Sequence, residues 1–323
     1  MRSPPESAFA FLTDIHGNLN ALDAVLEDIH ELRLRSSPQE FEIVCLGDSF
    51  DGGADPLGVF ERLRAIGCVH LRGNHEEYLF DCQERPTEEK FLRPLWKFVP
   101  WTVSRMGDAL KELRASTVPQ WRNSDWNLSA VHASVSNNGR VPDFFTQQSS
   151  LTALFKEEFL EHDACQIFFN GHSHYLGRHW NPQTRDIWFN CGSVGYPFVE
   201  KDERFSDAPL ATWVWVECRR SHAGEREVRV LNRRVPYSSD AFISRYVDSG
   251  ALEECAPFSF AIAAQSLFNT DVVYPFFQKV KKQNLTPDET ARLLVAELER
   301  QQVFSRINAL LSRAGRAHVA VHS

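Results

Sequence analysis

Apolar positions along the chain follow two periods. Residues 8–13 form a short apolar run, and after the polar stretch 14–18, residues 19–32 set Leu22, Val25, Leu26 and Ile29 at helical spacing. The order is strand, loop, helix. It repeats with a strand-like run at 41–46, a loop, and a helix opened by Asp55-Pro56, with Leu57, Phe60, Leu63 and Ile66 expected on one face. A third run at 68–71 completes a βαβαβ stretch, which argues for a mostly parallel sheet covered by helices.

From about residue 81 to 125 the strands give way to an expected helical insertion, Pro-interrupted and rich in tryptophan (Trp96, Trp101, Trp121). Strand-like runs resume at 128–131, 166–169, 186–190, 211–216 and 227–231, the last two expected as antiparallel neighbours. Beyond residue 237 the pattern is helical. Thr286-Pro287-Asp288-Glu289 is a capping box with proline at the first helical position. Leu293, Leu294, Leu298, Ile307, Leu310 and Leu311 then form one apolar face that must pack on the main body or on another subunit. The predicted organisation is a main α/β domain over 7–236 and a C-terminal helical extension over 237–323.

Composition narrows the picture. The 323 residues are 43% hydrophobic and 24% charged, an ordinary globular balance that excludes a disordered or low-complexity chain. A net charge of -8 disfavours a general nucleic-acid or anionic-membrane binder, while leaving a nucleotide substrate open. The seven cysteines are scattered and never form a C-x-x-C pair, so they read as buried free thiols. No run approaches membrane-spanning length, and a soluble cytoplasmic protein with no membrane partner is expected. Arg219, Arg220, Arg226, Arg229, Arg233 and Arg234 are interleaved with Glu217, Glu225 and Glu227, the pattern of a solvated hairpin face.

Candidate chemistry collects at strand ends. The run 8–13 is followed by Asp14 and His16, 41–46 by Asp48 and Asp51, 68–71 by Asn74 and His75, 128–131 by His132, and 166–169 by His172 and His174. In an open α/β sheet the carboxyl ends of strands are where a site forms, so residues distant in sequence would converge. Carboxylate, imidazole and amide oxygen together suit manganese, iron, zinc or cobalt, and a carboxylate can bridge two ions about 3.5–4 Å apart. Taken singly, His132 reads as a core histidine, Asp14 as a helix cap, and Asp51-Gly52-Gly53 as a turn. His30, His70, His162, His179, His222, His318 and His322 match no motif.

In order, Asp14-Ile15-His16, Gly47-Asp48-Ser49-Phe50-Asp51, Gly73-Asn74-His75-Glu76, His132 and Gly171-His172-Ser173-His174 match five motifs, and the chain thereby resembles the calcineurin-like metallophosphoesterases over about residues 8–235. The resemblance implies a layered α/β/β/α sandwich and two divalent metal ions. One ion would be held by Asp14, His16, Asp48 and His174, the other by Asp48, Asn74, His132 and His172, with Asp48 shared. His75 would be the catalytic histidine, oriented by Asp51. The implied activity is hydrolysis of a phosphate-ester substrate by metal-activated hydroxide.

Within the family the details point away from the serine/threonine protein phosphatases. Those carry an arginine after the second aspartate of the Gly-Asp motif, where this chain has Gly52. Arg72, before Gly73, does resemble them and is a candidate substrate-binding residue. Residues 14–18, 51–56 and 190–197 look more like the prokaryotic phosphodiesterase branch, and the turn at 192–197 is expected to be structural. A phosphodiesterase is therefore the first reading. A phosphomonoesterase, including a phosphoprotein or nucleotide phosphatase, is the second, and a non-catalytic scaffold of the same fold, as in a retromer subunit, is the third. The C-terminal helices are candidates for capping the site, forming a homo-oligomer or binding a partner.

Overall fold

A computed structural model describes residues 3–134, 166–182, 185–198, 208–268, 272–280, 283 and 285–319. His162, His322 and Cys165 lie outside the described residues. The chain opens with β1 (Ser7–Leu12), α1 (Leu19–Ser36), β2 (Glu40–Cys45), α2 (Pro56–Ile66) and the two-residue β3 (Val69–His70). The pairs β1–β2 and β2–β3 are parallel, as the βαβαβ pattern requires. On the other side of β1, β9 (Leu210–Arg220) and then β10 (Arg226–Pro236) pair antiparallel, completing a sheet of order β10-β9-β1-β2-β3.

A second sheet has the order β4-β5-β6-β8-β7, built from β4 (Trp121–Asn123), β5 (Leu128–Ala130), β6 (Ile167–Asn170), β7 (Leu176–Trp180) and β8 (Ile187–Cys191). The strand β4 corrects the expected break in strands across the insertion, and β7 answers to no expected strand. Both are sheet edges. β4 is only three residues, and β7 carries Arg178 and His179 in its middle, so neither shows a clear apolar period.

The alternation of β1 explains how the two sheets stack. Phe9 and Phe11 point into the layer between sheets, where Phe11 stacks on Phe169 at 4.2 Å between ring centres among Leu46, Val214 and Leu128. Ala8, Ala10 and Leu12 face the opposite way, towards Leu22, Val25 and Ile29 of α1. The two alanines let α1 approach closely, and a strand covered on both faces reads as an unbroken apolar run. Of the expected α/β/β/α order, the described residues form the first three layers.

On α2 the buried face is Pro56, Val59, Phe60 and Leu63, whereas Leu57 is 38% exposed. Val59 therefore takes the place expected of Leu57. The insertion holds α4 (Phe98–Met106), α5 (Ala109–Ser116) and two short 3₁₀ turns, and it follows α3 (Asn74–Glu84). Trp101 packs in the main core, and Trp121 lies in the layer between the sheets, where Trp126 joins it.

The C-terminal helices α6 (Ser239–Asp248), α7 (Phe258–Phe268), α8 (Val273–Val280), α9 (Pro287–Arg300) and α10 (Val303–Arg313) pack on this body. Leu294, Leu298, Ile307 and Leu311 are buried in the same cluster as Leu12 and Trp213, so the apolar face finds its partner within the chain. The Thr286 capping box forms, with Thr286 Oγ1 accepting from Glu289 N and Glu289 Oε2 from Thr286 N. Helix α7 is apolar on nearly every side, and residues 259–267 are all buried. No helix among the described residues is long and apolar enough to cross a membrane.

Candidate metal centre

Every sequence-predicted site residue lies just past the carboxyl end of β1, β2, β3, β5 or β6. The loops there are sharply turned. Among the described residues nine non-glycine positions have positive φ, and five of them are Asp14, His16, Asp48, His172 and His174. Such conformations cost energy and persist where surrounding structure enforces them, typically at functional sites. Glycine relieves the tightest approaches. A Cβ at Gly171 would sit 1.8 Å from Thr13 Oγ1 and 2.4 Å from Asp14 Oδ2.

These turns bring the side chains together. Ligand-capable atoms of Asp14, His16 and His174 lie within 4.8 Å of one another, as do those of Asp48, His132 and His172, and a third such group, His16, Asp48 and His75, joins the two. Asp14 Oδ1 is 3.1 Å from His174 Nε2 and 3.8 Å from His16 Nε2. Asp48 Oδ2 is 3.1 Å from His132 Nε2. Asn74 Oδ1 lies 3.0 Å from His132 Nε2 and 2.8 Å from His172 Nδ1.

The far sides of the rings are anchored. Nδ1 of His16 contacts the Asp51 carbonyl at 2.6 Å, Nδ1 of His132 the Leu46 carbonyl at 2.9 Å, and Nδ1 of His174 the Tyr196 carbonyl at 3.2 Å. Donating Nδ1–H to these carbonyls fixes the orientation of each ring and turns each Nε2 inwards. His75 is held differently, with Nδ1 2.7 Å from Asp51 Oδ2. Thr102 Oγ1 donates to the other Asp51 oxygen at 3.3 Å.

The electrostatics fit a cation. His16 Nε2 is buried with no hydrogen-bond partner and Asp14 Oδ1 has only the His174 ring nitrogen beside it, a costly arrangement that a bound ion would satisfy. Burial would raise the Asp14 carboxyl, but the facing His174 and the nearby His132 together outweigh it and hold the group at about 2. Burial, reinforced by His75 and His174, depresses His16 to about 3, which keeps its lone pair available. His172 is lowered to about 4, chiefly by burial. At His132 and His75 burial pulls downwards and nearby carboxylates override it, chiefly Asp48 at His132 and Asp48 with Asp51 at His75, and each is held at about 9.

Glu76 has no role in the sequence reading beyond its place in a motif. Its buried carboxylate accepts from Asp48 N, Ser49 N and Gly73 N, each at 2.8 Å, and so ties the second and third strand-end loops together. Its position at the third residue of α3, after a turn, is the signal that could have found it. Arg72 directs Nε to Thr117 Oγ1 at 3.3 Å and lies over the Phe80 ring. The turn at 192–197 braces the site through its backbone, and Ser193 Oγ donates to the Asp14 carbonyl at 2.7 Å. Arginines of the β9–β10 hairpin are ion-paired, Arg219 with Glu217 within it, Arg220 with Glu6 just before β1 and Arg233 with Asp28 of α1.

Residues 7–176 match the family model for calcineurin-like phosphoesterase. The uncharacterized protein MJ0912 of Methanocaldococcus jannaschii is 39% identical over 71 residues, 22% of this chain, and the chain thus spans only 27% of that relative's length. The crystal structure of a metallophosphoesterase from Sphaerobacter thermophilus is similar with a TM-score of 0.56 at 18% identity, covering 79% of this chain and 99% of that one. Vps29 of Chaetomium thermophilum aligns with a TM-score of 0.33 at 13% identity, over 73% of this chain and 100% of that one. With more than half its length matched by the family model, the chain belongs to the calcineurin-like phosphoesterases.

Proposed function

We propose that the protein is a dinuclear-metal phosphoesterase that prefers phosphodiesters. The observation that carries this reading is the buried cluster of Asp14, His16 and His174, with His16 Nε2 unpartnered, beside a second cluster around Asp48. Asp14, His16, Asp48 and His174 would hold one ion, and Asp48, Asn74, His132 and His172 the other. The mixture of imidazole, carboxylate and amide favours manganese, iron, zinc or cobalt. Two such ions supply Lewis-acid activation of water and neutralise phosphoryl charge when bound.

The chain's own residues do the rest. Asp51 holds His75 Nδ1, so Nε2 is the ring atom free to face the leaving oxygen. The Asp51 carboxylate at Nδ1 favours the imidazolium, which is ready to give up its Nε2 proton as the ester bond breaks. Preference for a diester follows from charge. Among the described residues of the strand-end loops that carry the site, the one Arg or Lys is Arg72, and its guanidinium reaches Thr117 and the Arg114 carbonyl. A dianionic monoester would lack the arginine clamp that a monoanionic diester needs less. In this reading residues 7–236 form the catalytic domain and 237–323 an extension that braces it.

The test is hydrolysis of bis-p-nitrophenyl phosphate against p-nitrophenyl phosphate with manganese, zinc, iron or cobalt, with metal content measured on the same sample. Faster turnover of the diester with about two ions per chain is expected. Replacing His75 by Ala should cut turnover by about 10²–10⁴ while leaving metal content intact. Metal-free protein that is inactive with every ion would overturn the reading, and a preference for the monoester would replace the diesterase with a monoesterase.

A further inference from the structure

An aromatic strip starts at His75. Tyr78, one helical turn further along α3, packs edge-on against the His75 ring at 5.2 Å between centres, and Trp96 packs edge-on against Tyr78 at 4.9 Å. All three side chains are only partly buried. Tyr78 also neighbours the Asn74 side chain, whose Oδ1 faces His132 and His172, so the strip adjoins the centre itself. Lys90 Nζ, paired with Asp81 and Glu88 at 3.3 Å each, lies 6.0 Å from the Trp96 ring centre and 4.6 Å from that of Phe91.

The position decides what this surface meets. A general acid must lie within hydrogen-bond reach of the oxygen it protonates, so whatever leaves with that oxygen departs past His75. A group that leaves on the Tyr78 side of His75 would meet Tyr78 and then Trp96. Aromatic side chains are apolar platforms with π faces, suited to flat rings and indifferent to their detailed substitution.

We propose that His75, Tyr78 and Trp96 form a leaving-group subsite for planar aromatic rings, resting on the hydrolytic reading above. Tyr78 meets a ring attached directly to the ester oxygen, as in an aryl ester. Trp96, one ring-step further out, meets a ring carried on a sugar, as in a nucleoside ester. Both are flat leaving groups recognised by the same strip.

The experiment compares kcat/KM for phenyl, 5′-adenosyl and methyl esters of one phosphonate in the metal-loaded protein. It is run on wild type, Tyr78→Leu, Trp96→Leu and Trp96→Phe. Alongside, saturation-transfer NMR reads binding of phenol and adenosine to the metal-free protein. The phenyl-to-methyl ratio should fall about tenfold in Tyr78→Leu and the adenosyl-to-methyl ratio about tenfold in Trp96→Leu, as expected for loss of one stacking partner. Trp96→Phe should restore the second ratio. Saturation transfer to both probes should weaken in the matching leucine variant. Ratios unchanged in both leucine variants, with no saturation transfer in wild type, would overturn the subsite. If wild type hydrolyses none of the esters yet binds phenol and adenosine at these residues, the hydrolytic reading falls and the aromatic subsite stands.

Discussion

The hydroxyl of Tyr246, buried in α6, donates to the carbonyl of Gly52 at 2.9 Å. Gly52 follows Asp51, which orients His75, and precedes Gly53, where a Cβ would lie 1.9 Å from the His16 carbonyl. A residue of the C-terminal helices therefore pins a peptide between two site loops. Gln265 of α7 does the same on the other side, donating to the Tyr196 carbonyl at 3.3 Å, the acceptor that also anchors His174. Tyr246→Phe leaves a buried carbonyl unpaired, which costs about 1–3 kcal/mol. Urea unfolding should show that loss, and kcat on a diester should fall severalfold with KM nearly unchanged. Loss of stability with kcat intact would mean the contact serves the fold alone.

Glycine at 171 is required by space rather than by torsion. Any Cβ there collides with Thr13 Oγ1 and with Asp14 Oδ2, which also accepts from His172 N at 2.9 Å. Gly171→Ala must displace the Asp14 carboxylate or the loop bearing His172 and His174. The variant should fold, because the clash lies at the edge of the sheet core, but bind metal at least tenfold more weakly in a competition titration with a chromophoric chelator. Wild-type affinity would show that the loop yields at no cost to the centre.

Much of this arrangement is legible in the sequence because strand ends are easy to see. Asp14, His16, Asp48, Asn74, His132, His172 and His174 each follow the last apolar residue of a run, and a parallel sheet must gather such positions on one edge. The capping box at Thr286 is legible for the same local reason. What is not legible depends on distant partners. β4 and β7 take their strand form from neighbours in the sheet, and their own residues carry too little period to announce it. Val59 replaces Leu57 on the buried face of α2 because packing, not periodicity, sets the exact arc. Tyr246 and Gln265 look like ordinary helix residues until the fold sets them against Gly52 and Tyr196.

Metal removal should lower stability. Ions that bind only the folded chain stabilise it by about 2.7 kcal/mol at a hundredfold excess over Kd. Thermal unfolding with manganese and with a chelator should therefore differ by on the order of 5 °C. Asp14→Asn, which weakens the charge at the first cluster, should shrink that difference. An identical shift in the variant would indicate that Asp14 does not contribute to binding.

His70 offers a pH signature separate from the centre. Its ring, buried in β3, contacts Ser49 Oγ at 3.1 Å and packs 5.3 Å from the Phe50 ring. Burial lowers its pKa from 6.5 to about 4. In the unfolded chain the ring takes up a proton near 6.5, so between 6.5 and 4 the unfolded state binds more protons than the folded one. The contribution is fully present above pH 6.5 and is lost as pH falls through this window to about 4. At pH 5 that amounts to about 2 kcal/mol. His70→Asn cannot titrate and should lack this component. Urea unfolding at pH 7.5 and pH 5, with chelator in every sample to remove metal linkage, should give a pH difference smaller by about 2 kcal/mol in the variant. Equal differences in the two proteins would place the acid sensitivity elsewhere.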